Sequence, residues 1–338
     1  MTPERTFELV RQLIDIESIT GNEAAVGEFL LRELKALGFD AQKMPVAENR
    51  FNVYAAVPGA KPHVIFSTHI DTVPPFIPSS EDADRIYGRG ACDTKGITGA
   101  MLHAALRLLA EKAPIGLLFV VGEERDSLGA RIANISAMNP KAKYLINGEP
   151  TENMVAIASK GSLRVEVTAR GKMAHSAYPH LGESAIDKLL DALAIIRALP
   201  LPVNPEVGPT TMNIGIIEGG RAPNVIPDHA KAHLLYRTVG PVEELNRAIK
   251  DSVRAMPGVE VEAVLDIPFT KLRTFDDLPT FVAAYTTDIP ALSNWGEPIL
   301  FGPGSIHVAH TTGEFIEKKQ LLEAAEIYFK MAKKLIAQ

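Results

Sequence analysis

An imidazole and a carboxylate stand two residues apart, His69 and Asp71, where the apolar run His63-Val-Ile-Phe ends in Ser-Thr-His. A histidine there can ligate a metal, and Asp71 is spaced to accept its second ring N–H, which fixes the tautomer and sharpens the ring's basicity. Asp93 in GRGACDTKG, Glu123 and Glu124 in GEERDSLGA, and Glu149 in INGEPTEN lie at or just past expected strand ends or helix starts, and a late histidine, His307 or His310, joins them. Each carboxylate also has a purely local reading: Asp93 as N-cap of a helix opening near Lys95, Glu123 and Glu124 at the positive end of a helix dipole ahead of Ser127. Together they would crowd one edge of a sheet, where repulsion is costly unless cations neutralise it. Two divalent ions about 3.5–4 Å apart, with a bridging carboxylate and a separate base, meet that demand and make a hydrolytic site. The mixed histidine and carboxylate set suits Zn2+, with Co2+ or Mn2+ as replacements.

The elements that must hold these residues read as a βα series. Thr2-Pro3 opens a short helix, and Thr20-Gly-Asn-Glu23 has the spacing of a capping box before a helix from Ala24 to Leu37 that Gly38 ends. Strands are expected at Phe51 to Val57, His63 to Thr68, Ile115 to Val121 and from Tyr144, with helices from the Asp93 segment to about Glu111 and near Ser127 to Met138. Continuous apolar strands of this kind suit a sheet buried on both faces, and such sheets bind ligands beyond the strands' carboxyl ends.

At about Lys160 the character changes, because Leu163 to Arg170 alternates apolar and polar residues. A helix from Gly182 to Leu199, strands near Thr210 to Ile217 and Asp228 to Val239, a helix near Val242 to Met256 and a strand Val259 to Asp266 complete a β-α-β-β-α-β order, a ferredoxin-like split. Beyond Pro268 the first pattern resumes, with a strand Ile299 to Phe301 and a helix from about Glu314 to Ile336. The expected fold is α/β: a catalytic domain of residues 1–159 and 268–338 with a mostly parallel sheet flanked by helices, and an inserted α+β lid or dimerisation domain of residues 160–267.

Two domains also suit a chain of 338 residues. Its 46% hydrophobic and 22% charged fractions are globular, and a net charge of −6 argues against a nucleic-acid partner and for small metabolites or peptides. No run approaches the ~18 apolar residues of a membrane span, and Glu4, Arg5, Glu8, Arg11 and Asp15 do not make a signal-peptide pattern, so no membrane partner and a cytoplasmic location are expected. The single Cys92 permits no internal disulfide and excludes a cysteine-based zinc cluster. No Gly-x-Ser-x-Gly elbow is present to support a serine hydrolase, and Gly88-x-Gly90 lacks the third glycine of a dinucleotide site.

Through STHIDTVP, GRGACDTKG, GEERDSLGA, INGEPTEN, GKMAHSAYPHLG, NIGIIEGGRAPNVIPD, LLYRT and GPGSIHVAHTTGEF, nearly the whole chain resembles the zinc-dependent metallopeptidase family of acetylornithine deacetylase, succinyl-diaminopimelate desuccinylase, aminoacylase and glutamate carboxypeptidase. The resemblance implies that His69 and Glu149 bind one zinc, that Glu124 and His310 bind the second, and that Asp93 bridges both. It makes Asp71 the partner behind His69 and Glu123 the general base. His310 is preferred to His307 because the family histidine is followed four residues later by a glutamate, here Glu314. Glu149, in place of an aspartate, resembles the deacylase and carboxypeptidase members more than the aminopeptidases. In the smaller domain His175 matches a histidine that stabilises the oxyanion, in several members across a dimer interface. Asn224 and Arg237 match a pair that places substrate, with Arg237 gripping its α-carboxylate through two parallel N–H bonds. Ser305 departs from the acidic residue many relatives carry, and Leu272 to Trp295 matches the family least, apart from Thr287-Asp288.

The activity so implied is removal of an acetyl or succinyl group from an N-acyl amino acid. Cleavage of short peptides by a dipeptidase or carboxypeptidase is the alternative within the family, and a catalytically inactive binding scaffold is the alternative of another class. A homodimer through the smaller domain and closure of the domains around substrate are further expectations.

Overall fold

The apolar runs become the inner strands of a six-stranded sheet in the spatial order Asp40–Ala47, Arg50–Ala56, Ile115–Val120, Val64–His69, Tyr144–Asn147 and Glu297–Leu300. The last four run parallel, and the first two form an antiparallel hairpin at one edge. The computed structural model describes residues 1–338. They divide into two compact units, the first comprising Met1–Ile157, Leu272–Phe281 and Thr287–Gln338, the second Ala158–Lys271 and Val282–Thr286.

Every residue of Val64–His69, Ile115–Val120 and Tyr144–Asn147 is buried, which is why these strands show no polar alternation. Successive residues feed opposite faces. Phe66, Leu117 and Ile146 join one core with the helices Pro3–Ile14, Ala24–Ala36, Gly96–Ala110 and Lys318–Ile336. Ile65, Leu118 and Leu145 join another with Ala130 and Ala133 of helix Leu128–Ile135 and with Trp295, whose indole N–H donates to the Ala133 carbonyl at 3.0 Å. Truncating a core ring such as Phe66 to alanine would cost about 3–5 kcal/mol. The register sets His69 beside Val120 and Ser67 beside Asn147, so the strands that precede the candidate ligands finish nearly level. Both edge strands contain a proline, Pro45 and Pro298, and the Asp40–Ala47 strand also carries Lys43 and a register shift between Pro45 and Ala47.

Two local expectations are corrected. Helix Ala24–Ala36 has no side-chain cap: the Thr20 hydroxyl donates to Asp71 at 2.8 Å, and Glu23 pairs with Arg50. The last helix begins at Lys318, because Phe315–Glu317 is a strand paired with Arg85–Tyr87, where Phe315 lies against the Tyr87 ring and the Arg85 guanidinium. Gly38, at φ +96°, ends its helix as expected, in a conformation a side chain would strain.

In the second unit four antiparallel strands lie in the order Thr211–Gly219, His229–Thr238, Gly161–Arg170 and Val259–Ile267, the ferredoxin-like arrangement. Leu163, Val165, Val167 and Ala169 alternate inward, as do Ala230, Ala232, Leu234 and Tyr236, and they share a core with helices Ala185–Arg197 and Val242–Val253. No helix of the chain is long and apolar enough to cross a membrane.

Candidate metal centre

Three neighbouring parallel strands deliver side chains at their carboxyl ends. His69 is the last residue of its strand, Glu123 and Glu124 follow Val120 after a turn at Gly122, and Glu149 follows Asn147 across Gly148. Gly122 has φ +83°, a conformation that glycine adopts without a Cβ penalty. Asp93 sits in a buried kinked turn, Ala91–Lys95, whose residues leave helical geometry at Asp93 itself before helix Gly96–Ala110 begins. His310 lies in the loop after strand Glu297–Leu300, at φ +64°.

These elements bring together two sets of side chains that could each hold a metal ion, His69 with Asp93 and Glu149, and Asp93 with Glu124 and His310. Asp93 belongs to both. Its Oδ1 lies 3.0 Å from His69 Nε2, and its Oδ2 lies 3.1 Å from His310 Nε2. Glu124 Oε1 is 3.0 Å from the His310 nitrogen, and Glu149 Oε2 is 4.0 Å from the His69 nitrogen. His307 is in neither set.

Asp71 stands behind this constellation, fully buried. Its backbone carbonyl is 3.0 Å from His69 Nδ1, and its Oδ1 is 3.6 Å from the same nitrogen. The carboxylate accepts the backbone N–H groups of Gly122, Glu123 and Glu124 at 2.9, 3.1 and 3.3 Å, together with the Thr20 hydroxyl. It therefore organises the turn that carries Glu123 and Glu124.

Charge in the centre is unbalanced. Burial pushes the Glu123 and Glu149 carboxyls well above their ordinary values, with Asp93 and Asp288 adding to both shifts and His69 opposing them. Hydrogen bonding to Asp93 and then Glu124 raises His310 to about 10. Burial opposes charge on His69, but Asp71, Asp93 and Glu149 outweigh it and raise its pKa well above the ordinary value. Glu149 Oε1 is buried with no hydrogen-bond partner. An unsatisfied carboxylate oxygen beside converging histidine nitrogens and further carboxylates is a donor set that cations fit.

The second unit holds the other three expected residues. His175 is exposed on a two-residue strand, Ala174–His175, paired with Val225–Ile226, and its Nδ1 accepts the Ala177 N–H at 3.1 Å. Asn224 adjoins that pairing, its carbonyl accepting the Ser176 N–H at 3.1 Å. Arg237, near the end of strand His229–Thr238, is half-buried; burial alone lowers its pKa, with no carboxylate contributing.

Spacing did not expose three further groups. Arg89 and Glu314 form an ion pair in which both residues are at most 2% exposed. Asp288 is 1% exposed; the Ser127 hydroxyl approaches its carboxylate, but neither oxygen completes a hydrogen bond of good geometry. The only sequence signals were the glutamate four residues past His310 and the Thr287-Asp288 pair, and neither indicated burial.

Two groups that could each hold a metal ion and that share a carboxylate, gathered around the carboxyl ends of parallel strands, are an arrangement that suits a metal-dependent hydrolase. Comparison with known proteins narrows the class. A model of the Peptidase dimerisation domain matches residues 157–278, and one of Peptidase family M28 matches residues 52–177. A Peptidase M20 domain-containing protein of Schizosaccharomyces pombe is 38% identical over 97% of this chain and 84% of its own length. A protein of Aspergillus terreus named "Probable carboxypeptidase" is 39% identical over 95% of this chain and 84% of its own. The solved structure of a tripeptidase from Staphylococcus aureus superposes with a TM-score of 0.83 over 100% of both chains at 23% identity, a likeness of fold. The chain belongs to the M20 peptidase family, and it is a hydrolase.

Proposed function

We propose that this enzyme hydrolyses the amide bond between an acyl group and an amino acid that keeps a free α-carboxylate, using two divalent ions. The observation that carries this reading is Asp93, with one carboxylate oxygen turned to each of two histidines. His69, Asp93 and Glu149 would hold one ion, and Asp93, Glu124 and His310 the other, with Zn2+ the ion this donor set suits. When bound, such ions supply Lewis acidity at the scissile carbonyl and acidify water.

The chain's own groups do the rest. Glu123, on the turn held by Asp71, takes the proton of the attacking water and passes it to the departing amine. His175 donates to the developing oxyanion. Arg237, a guanidinium without a carboxylate of its own, grips the α-carboxylate, with Asn224 helping to place the substrate.

Two substrate classes satisfy these groups: N-acetyl or N-succinyl amino acids, and short peptides cleaved at their C-terminal residue. The name carried by the Aspergillus terreus relative favours the second. Amine release from a panel of N-acetyl, N-succinyl and dipeptide substrates, with zinc-loaded protein and its Glu123→Gln variant, tests the reading. Zinc-dependent release from one class, lost in the variant, supports it and names the class. Silence across the panel would leave a substrate outside it, or a binding scaffold, as the leading readings. A homodimer through the second unit and a cytoplasmic setting belong to the same proposal, supported by the dimerisation-domain match and by the lone, buried cysteine. Light scattering on the purified protein tests the dimer.

A further inference from the structure

The Arg89–Glu314 pair touches no ligand side chain, yet it is bonded to the backbone of two of them. Glu314 Oε2 accepts from Arg89 at 2.5 Å, while Oε1 accepts the backbone N–H groups of Cys92 and Asp93, both at 3.2 Å. The same guanidinium donates to the carbonyls of Thr311 at 3.2 Å and His310 at 3.4 Å, and its Nε to the Pro75 carbonyl at 3.3 Å. The backbone closes the unit, since the Gly88 N–H donates to the Glu314 carbonyl at 3.1 Å. The pair therefore ties the turn carrying Asp93, through Glu314, to the loop carrying His310, through Arg89.

Stability alone does not account for such a pair. Burying both charges costs desolvation that their attraction only roughly offsets, so the charge pairing by itself adds little to stability. What the guanidinium adds is direction: its fixed fork of donors meets carboxylate and carbonyls at set angles. Direction matters here because His310 sits at φ +64°, a conformation that costs a non-glycine residue free energy and persists only where its surroundings hold it. Arg89 grips two successive carbonyls, those of His310 and Thr311.

We infer that Arg89 and Glu314 are positioning residues that set the distance between Asp93 and His310, and with it the affinity of the second ion site. This rests on the two-ion reading proposed above. The other two members of the first set have supports outside the clamp, since His69 ends a buried strand and Glu149 closely follows another. Loosening the clamp therefore releases His310 more than it disturbs His69 and Glu149.

The test is zinc binding to metal-free protein, counted by elemental analysis after dialysis and resolved into two affinities by titration. Co2+ serves as a second probe, through its absorption spectrum. The parent is expected to bind two ions. Arg89→Lys keeps the charge but loses the fork, and is expected to weaken one ion by about 10- to 100-fold, the range for supports of metal ligands, while the other stays within twofold of the parent. His310→Ala identifies the affected ion by losing the same one. The double variant Arg89→Met/Glu314→Leu removes both charges without leaving either unpaired, though it withdraws the acceptor of the Cys92 and Asp93 N–H groups; it is expected to fold with reduced stability and still to lose that ion. Parental affinities in either folded variant, or equal weakening of both ions, would overturn the clamp. A parent that binds fewer than two ions would overturn the two-ion reading first, and the clamp with it.

Discussion

Asp71 offers His69 its backbone carbonyl, 3.0 Å from Nδ1, and keeps its carboxylate 3.6 Å from the same atom. That carboxylate is occupied by three consecutive N–H groups of the turn bearing the proposed base. Asp71 therefore serves two neighbours with two different parts of itself.

Replacing Asp71 with alanine removes the acceptor for those donors but leaves the backbone carbonyl at His69. With each orphaned buried donor costing about 1–3 kcal/mol, Asp71→Ala is expected to destabilise the metal-free protein by at least ~2 kcal/mol in urea denaturation. The ion at His69 should remain in elemental analysis. Loss of that ion with unchanged stability would assign the carboxylate to His69 instead.

Glu123→Gln keeps the size of the side chain and removes its basicity. Turnover is expected to fall about 10²- to 10⁴-fold, the usual contribution of a positioned acid or base, with both ions retained. A variant that keeps its zinc and its rate would remove Glu123 from that role.

Asp288 carries a carboxyl that burial, helped by Asp71 and Asp126, pushes up from 3.8 to about 7. Between those two values the folded chain holds a proton that the unfolded chain has released, so stability falls as pH rises through that window. Asp288→Asn should remove this part of the fall, leaving the parts due to Glu123 and Glu149. In metal-free protein the variant is expected to gain on the parent from pH ~5 to ~8, read by denaturation at each pH. Parallel stability curves for the two proteins would show that the carboxyl ionises in place without cost.

Arg237→Ala should raise KM for substrates with a free α-carboxylate and leave the proton-transfer step alone. A charge-assisted contact of about 1.5–3 kcal/mol corresponds to a loss of roughly 10- to 100-fold in kcat/KM. Substrates whose carboxylate is masked as an amide should lose nothing further in the variant. An equal loss on both kinds would place Arg237 elsewhere.

Spacing brought His69, Glu123, Glu124 and Glu149 forward because each ends or closely follows a run of consecutive apolar residues; Asp93 and His310 lie in a turn and a loop, and only the resemblance gave them their expected roles. Spacing could not show what lies behind them. Thr20 and Glu23 have the spacing of a helix cap, and only the fold, by placing Thr20 beside Asp71 and Glu23 beside Arg50, redirects both. Arg89 and Glu314 are separated by more than two hundred residues, and charged residues read as surface until tertiary packing buries them. Phe315 to Glu317 fits a helical period, yet pairing with Arg85–Tyr87 overrides that local preference.

The prolines in the two outer strands of the large sheet bear on solubility. Pro45 and Pro298 each withhold a backbone donor, and Lys43 with the adjoining register shift further roughens one rim. Exposed strand rims are where chains polymerise, and these devices blunt them. The smaller sheet lacks the prolines: Thr211–Gly219 exposes Ile216 and Ile217, and Val259–Ile267 exposes Val264 and Leu265, although each of these strands carries a register shift of its own. Proline, the device that most directly denies a neighbouring strand its hydrogen bonds, thus guards the rims of one sheet and is absent from those of the other, so the proposed self-association meets least obstruction at the smaller sheet.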